Sequence, residues 1–173
     1  MTKRIAILAT DGFEQSELTG PRDLLKQAGF DVQVVSPRSG EIKGWKHDQW
    51  GDAVPVDLAL DAAKADAFDA LVLPGGQMNP DVLRMDEAAV AFVRAFDHAK
   101  KPIAAICHGP WLLVESGAAK GRNVTSWPSL RTDLTNAGAA WTDSEVVVDG
   151  HVITSRKPDD IPAFTKALIE TLR

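Results

Sequence analysis

Short apolar runs alternate along this chain with longer segments in which apolar residues recur at helical spacing. The runs are nearly continuous in apolar residues, as in strands that are covered on both faces, and they lie at 4–9, 31–36, 70–73 and 103–106. Helical spacing follows most of these runs, at 14–28, 79–99, 111–117, 128–137 and 159–172. Strands that alternate with helices predict an α/β fold, in which a mainly parallel sheet carries helices on both faces.

Two segments are predicted to form hairpins. The segment 41–57 is rich in glycine and tryptophan and lacks either periodicity, so we predict a small irregular hairpin that lies outside the main sheet. The segment 145–155 is predicted to form a second hairpin, which turns at Asp149-Gly150.

Proline, glycine and asparagine mark the expected ends of two helices. Gly29 should close the first helix as its C-cap, and Pro21 inside that helix should kink or split it. Asn79 is predicted to be the N-cap of the helix after 70–73, with Pro80 at its first helical position and Asp81 in its first turn.

The run at 103–106 ends at Cys107, which is the only cysteine in the chain. Gly109 and Pro110 follow at once, and helical spacing begins at Trp111. A strand, a sharp turn with a reactive side chain, a glycine and a helix make up a nucleophile elbow, which holds its nucleophile beside the N–H groups of a helix start. Because such surroundings favour a thiolate, we predict that Cys107 is a nucleophile rather than an inert small hydrophobic residue.

Two other loops are expected to meet this cysteine. The segment 11–14 follows the first predicted strand, and Gly75-Gly76 follows the strand at 70–73. Because ligands bind outside the carboxyl ends of parallel strands, these loops and Cys107-His108 should converge at one edge of the sheet. There the N–H groups of Gly75 or Gly76, together with that of His108, would form an oxyanion hole, unless the two glycines only make a turn.

His108 is the candidate base for the thiol, although a histidine at this position also suits a capping or packing role. A catalytic histidine needs a carboxylate to orient it, and Asp81 is the best candidate at the same edge. An aspartate in the first turn of a helix also stabilises the helix dipole without any further purpose.

Glu14 is the candidate carboxyl partner of the thiol. A carboxyl group at the sheet edge would lose solvent, so its pKa would rise and its proton would become available for a hydrogen bond to sulfur. Glu17 and Asp11 meet the same requirement on sequence grounds.

Composition narrows the class of protein. The 173 residues suit a single domain spanning 1–173, and a net charge of −5 without a basic run argues against a nucleic-acid partner. The amino-terminal apolar run is too short for a membrane span, and a lone cysteine suits a reducing cytoplasm. The histidines show no metal-ligand spacing, so we predict neither a metal nor another cofactor.

Two of the five tryptophans, Trp111 and Trp127, are expected either to line the pocket or to pack in a core or an interface.

Motifs across nearly the whole chain resemble one family. Ala105-Ile106-Cys107-His108-Gly109-Pro110 is similar to the elbow signature of the ThiJ/PfpI family, within the class I glutamine-amidotransferase-like superfamily. Further agreement follows in the family's order, at 11–14 with Glu17-Leu18, 73–76, 125–128, and 145–150 leading to Ser155-Arg156. The combination most resembles the branch of PfpI-type intracellular peptidases and general stress proteins.

This resemblance implies a flavodoxin-like three-layer sandwich with Cys107 as the nucleophile and Glu14 as the carboxyl partner of its thiol. It also implies that the N–H groups of Gly76 and His108 bind oxyanions. In the peptidase-like members, the residue matching His108 forms a triad with a glutamate from a neighbouring subunit. The matching position here is Asp81, after a loop that is one residue longer. Family members associate as dimers or larger rings.

Three functions remain open on the sequence. The favoured hypothesis is a stress-protective enzyme of the glyoxalase or deglycase type, in which the thiolate attacks a small reactive dicarbonyl or its adduct on a protein. The second hypothesis is an intracellular cysteine peptidase, which requires the full set of Cys107, His108 and Asp81. The third is a non-enzymatic redox sensor or chaperone in which Cys107 is oxidised.

Overall fold

The computed structural model describes all residues from Met1 to Arg173. The strands are β1 (Arg4–Leu8), β2 (Phe13–Glu14), β3 (Asp31–Ser36), β4 (Glu41–Lys46), β5 (Gln49–Pro55), β6 (Leu58–Ala59), β7 (Ala70–Leu73), β8 (Ile103–Ile106), β9 (Asn123–Val124), β10 (Ala140–Trp141), β11 (Val146–Asp149) and β12 (Val152–Ser155). The α-helices are α1 (Gln15–Gln27), α2 (Met78–Leu83), α3 (Glu87–His98), α4 (Trp111–Ser116), α5 (Arg131–Asn136) and α6 (Ile161–Leu172). None of these helices combines the length and apolar composition that crossing a bilayer demands.

The main sheet has seven strands in the order β11-β12-β8-β7-β1-β3-β6. Every neighbouring pair is parallel except β11 and β12, which form the predicted antiparallel hairpin at the edge. The predicted α/β fold with a mainly parallel sheet is confirmed. Because β8, β7 and β1 are adjacent, the loops that leave their carboxyl ends lie side by side.

Alternating side chains of the central strands divide the core into two layers. On β1, Ala6 and Leu8 face the layer that α2, α3, α4 and α5 cover, and Ile5 and Ile7 face the layer under α1 and α6. All four of these side chains are fully buried. Full burial on both faces explains why the central strands are continuous in apolar residues instead of alternating with polar ones.

The glycine- and tryptophan-rich segment forms the predicted hairpin outside the main sheet. β4 and β5 pair in antiparallel fashion with a register shift between Lys43 and Trp45, and β2 adds a short parallel partner. Gly44 lies on the ring of Phe13, where a Cβ would come within 3.0 Å of the ring. This close approach brings the hairpin against the loop that leaves β1.

The expected N-cap of α2 is wrong, and so is the expected split of α1 at Pro21. Pro21 lies inside an uninterrupted α1, whose apolar side chains Leu18 and Leu25 are buried in the core on either side of it. The α2 helix begins at Met78, so Asn79 lies inside it. The Asn79 side chain turns back into the preceding loop instead of capping the helix. Gly29 does end α1 as expected, with a φ of 94° directly after the C-cap residue.

Candidate active site

A sharp turn at the end of β8 holds Cys107. Its φ is 63°, a left-handed conformation that a residue with a side chain seldom adopts. The Cys107 N–H donates to the Ser155 carbonyl at 3.0 Å, and the Cys107 carbonyl accepts from the Trp127 N–H at 2.9 Å. Two neighbouring segments therefore hold the strained backbone in place, and the predicted elbow is present. The side chain is 8% exposed.

Gly109 allows this turn to pass close to β7. A Cβ at this position would overlap the Leu73 carbonyl oxygen and lie 2.9 Å from that of Ile106, and both atoms belong to the backbone. We therefore expect Gly109→Ala to lower the free energy of unfolding by roughly 3 kcal/mol or more in urea titrations. Gly20→Ala is the matched control, since its Cβ meets only the Ile161 side chain, and it should stay within about 1 kcal/mol of the parent protein. Equal losses in the two variants would contradict the clash.

Four groups surround the sulfur of Cys107. The Nδ1 atom of His108 lies 3.2 Å from Sγ. The thiol also lies close to the backbone N–H groups of Gly76 and His108 and to the carboxyl group of Glu17. The thiol thus has one candidate base, two fixed donors and one carboxyl group around it.

The structure places Glu17, and not Glu14, against the thiol. Glu17 is fully buried, its Oε1 accepts from the Gly75 N–H at 3.0 Å, and its Oε2 has no hydrogen-bond partner. Glu14 precedes the first turn of α1 and lies half-buried in the wall of the cavity. The expectation for Glu14 is corrected because one helical turn separates the two carboxyl groups, and the later one lies deeper under the sheet edge.

Burial shifts the protonation of both glutamates in the same direction. It raises the pKa of Glu17 to about 8, and the nearby charge of Glu14 adds to this rise. Burial also raises the pKa of Glu14, against a smaller opposing effect of His47. Glu17 is therefore mostly protonated at neutral pH, and its O–H is available as a donor.

The thiol and the imidazole are both neutral at rest. Burial raises the pKa of the Cys107 thiol, the charge that Glu17 carries when ionised raises it further, and the N–H groups of Gly76 and His108 oppose the rise. Burial lowers the pKa of His108. A neutral imidazole at 3.2 Å can accept the thiol proton, so the arrangement suits a thiolate that forms by proton transfer within the site.

The peptide between Gly75 and Gly76 is fixed before any ligand binds. Its carbonyl accepts from the Glu14 N–H at 3.3 Å and from Asn79 Nδ2 at 3.1 Å. The C=O and N–H groups of a trans peptide point in opposite directions, so the Gly76 N–H faces the sulfur. The Gly75 N–H already donates to Glu17, so Gly75 is not free to bind an oxyanion as expected, and the N–H groups of Gly76 and His108 remain the predicted donors.

These groups open onto a cavity of about 350 Å³. Glu14, Gly76 and Cys107 all line it, so the three loops converge as predicted. Trp45 and His47 of the hairpin and Trp127 also line the cavity, and the first two were not predicted from the sequence. Their only signal was the unusual composition of 41–57. No group of three histidine, cysteine, aspartate or glutamate side chains is arranged to hold a metal ion.

Asp81 is not brought to His108 within one chain. It lies exposed on α2, makes no hydrogen bond or salt bridge, and does not line the cavity. Indole rings flank the His108 ring instead, with that of Trp111 at 5.1 Å and that of Trp127 at 6.2 Å between ring centroids. A triad would therefore need the carboxylate of a second chain.

Comparisons with known proteins give relatives that match nearly the whole chain. A family model described as the DJ-1/PfpI family matches residues 3–171. Deglycase TK1284 of Thermococcus kodakarensis is 46% identical over 170 residues, which cover 98% of this chain and 99% of that protein. A protein named putative cysteine protease YraA, from Bacillus subtilis, is 42% identical over 173 residues, which cover 100% of both.

A solved structure extends the agreement to the fold. Drosophila melanogaster DJ-1beta matches with a TM-score of 0.91 at 30% identity, over 99% of this chain and 91% of that chain. The match covers the whole three-layer sandwich, including the strand and the turn that present Cys107. Because the family model matches all but a few terminal residues and the fold of a solved relative matches over nearly the whole length, the chain belongs to the DJ-1/PfpI family.

Proposed function

We propose that this protein is a stress-protective, cysteine-dependent enzyme that acts on small reactive dicarbonyls or on the adducts they form with proteins. The observation that carries the proposal is the contact of one thiol with a neutral imidazole and a protonated carboxyl group at the base of a small cavity. The name of the relative TK1284, a deglycase, supports the same activity.

The first step of the proposed reaction makes the thiolate. His108 Nδ1 takes the proton of Cys107 across 3.2 Å, and the sulfur attacks the aldehyde-level carbon of the substrate. When that carbon carries an amine from a protein, the amine leaves with the proton from His108. The N–H groups of Gly76 and His108 stabilise the negative oxygen that develops as the carbon–sulfur bond forms.

The remaining steps need no outside oxidant. The oxygen that developed in the first step, or the departing amine, takes the proton from His108, so the imidazole becomes neutral again. A proton then moves from the carbon bound to sulfur to the neighbouring carbon through an enediol, and His108 is the base that carries it, because Glu17 is already protonated. The first carbon becomes a thioester while the neighbouring ketone becomes an alcohol, so the oxidation and the reduction balance within the substrate. Water then cleaves the thioester, which yields a hydroxy acid and restores the thiol.

The second candidate function is a cysteine peptidase. The contact between Cys107 and His108 and the name of the relative YraA favour it. It would require self-association, as a dimer or a larger ring, in which Asp81 of one copy reaches His108 of another. A cavity of about 350 Å³ suits a small carbonyl compound better than a polypeptide. For either activity we propose a reducing cytoplasm as the compartment, because the reaction needs Cys107 as a free thiol.

The two candidates separate in one set of assays. We expect the purified protein to form lactate from methylglyoxal and to release free N-acetylarginine from its freshly made methylglyoxal adduct, with no cleavage of casein. Protein alkylated with iodoacetamide is the control, and it should lose both activities because Cys107 is the only thiol. Casein cleavage that alkylation abolishes, without lactate formation, would overturn the proposal in favour of the peptidase.

A further inference from the structure

The imidazole that must accept the thiol proton has no carboxylate partner in this chain. His108 makes a single side-chain contact with a polar group, between Nδ1 and Cys107 Sγ. A catalytic histidine normally relies on a carboxylate both to hold its ring and to stabilise the cation that it becomes. If no carboxylate assists the Cys107–His108 pair, other groups must hold the ring and stabilise its cation.

Trp111 holds one side of the His108 ring. The two rings meet edge to face at an interplanar angle of 65°. The Trp111 indole N–H donates to Asp133 at 2.9 Å, and the guanidinium of Arg84 lies 5.2 Å from the centroid of the Trp111 ring. Arg84 is itself paired with Glu115 at 3.0 Å. Trp111 is therefore locked in place and already has a cation against its ring.

Trp127 covers another side of the His108 ring and differs from Trp111 in one respect. The rings stack at an interplanar angle of 23°, and no lysine or arginine lies over the Trp127 ring. Its backbone N–H donates to the Cys107 carbonyl, which ties its position to the elbow. Its electron-rich face is thus free to attract the positive charge that appears on the imidazole.

We propose that these two tryptophans take the place of the third member of a triad: Trp111 orients the His108 ring, and Trp127 stabilises its protonated form. Both are positioning residues, since they act through His108. The other titratable groups around the same cavity are Glu14, Glu17, His47 and Cys107. This inference rests on the proposed function only in that both use the thiol of Cys107.

The test measures His108 directly in the whole protein, in the variants Trp127→Leu and Trp127→Phe. The pKa of His108 is followed by NMR from its ring protons, which are assigned by comparison with His108→Gln. We expect Trp127→Leu to increase the acid dissociation constant of His108 by about threefold to thirtyfold, because a cation–π contact is lost. Trp127→Phe should give a smaller increase, because a weaker aromatic face remains.

The direction in which the acid dissociation constant of His108 changes shows whether Trp127 stabilises the protonated imidazole or only shields the ring from water. If Trp127 only kept water away from His108, its removal would lower the acid dissociation constant, and that result would overturn the proposal. Trp50→Leu is the matched control, since Trp50 lies outside the cavity, and it should leave the constant unchanged.

The rate at which iodoacetamide alkylates Cys107 at pH 7 supplies the second measurement. We expect Trp127→Leu to slow alkylation by about threefold to thirtyfold in the parent protein and to have no effect when His108 is already glutamine. An equal slowing of alkylation by Trp127→Leu in both backgrounds would overturn the proposal. So would the finding that Asp81→Ala shifts the pKa of His108 while Trp127→Leu does not. Because alkylation needs no substrate, these outcomes are independent of whether the deglycase assay succeeds.

Discussion

Replacing Cys107 with serine should lower kcat/KM for methylglyoxal by about a thousandfold or more. A serine hydroxyl is a far weaker acid than a thiol, and the acceptor in this site is an imidazole whose pKa burial has already lowered. His108 therefore cannot take the hydroxyl proton at a useful rate. Lactate formation, followed over a range of methylglyoxal concentrations, measures the loss.

The same variant tests whether the effect is chemical. A hydroxyl group is smaller than a thiol and makes the same contacts, so the thermal midpoint should stay close to that of the parent protein. The loss should also fall on kcat more than on KM, because the cavity walls are untouched. A Cys107→Ser protein that folds normally and keeps most of its activity would remove this thiol from the reaction.

Replacing Glu17 with glutamine should make the protein more stable at pH 8 to 9 and leave its stability at pH 5 nearly unchanged. In the parent protein, the pKa of Glu17 is about 8 when folded and 4.5 when unfolded. The folded state therefore binds the extra proton between these values, and stability declines as the pH rises from about 4.5 to about 8. The full decline is on the order of 4–5 kcal/mol, at about 1.4 kcal/mol for each unit of pKa difference. Urea titrations at several pH values measure it.

Glutamine keeps an oxygen that can accept from the Gly75 N–H but cannot ionise, so it resembles the protonated glutamate of the parent at pH 5. His108, whose lowered pKa makes stability rise with pH below about 6.5, is common to both proteins and cancels in the comparison. Glu14→Gln is the matched control. Glu14 is only half-buried, so most of the decline should survive in that variant. Parallel pH profiles for the parent and Glu17→Gln would contradict a protonated Glu17.

The strand pattern predicted most of what positions the site. Because β1, β7 and β8 are buried on both faces, their sequences are continuous in apolar residues. Parallel strands have their carboxyl ends at the same edge of the sheet, so the three loops that follow them lie together. The sharp turn at Cys107 was predicted on separate grounds, because the glycine and the helix start that it needs follow directly in the chain.

The choice between Glu14 and Glu17 was beyond sequence reasoning. Residues three apart lie on the same side of a helix, so their spacing leaves both facing the sheet edge. The two carboxyl groups differ in how deeply they are buried, which depends on how α1 packs against the loop at Gly75. The position of Asn79 was unpredictable for a similar reason, because its three hydrogen bonds connect Thr10 with the loop at Pro74 and Gly75, which is far away in the chain.

Those bonds give Asn79 an unusual chemical situation. Its side chain accepts from the Thr10 N–H at 2.8 Å and donates to the carbonyls of Pro74 and Gly75, so it joins the loops after β1 and β7. Asparagine normally ages by deamidation, in which the nitrogen of the next residue attacks the side-chain carbonyl to form a succinimide. The next residue here is Pro80, whose nitrogen carries no hydrogen. The amide that joins these loops is therefore protected from the commonest route of spontaneous decay.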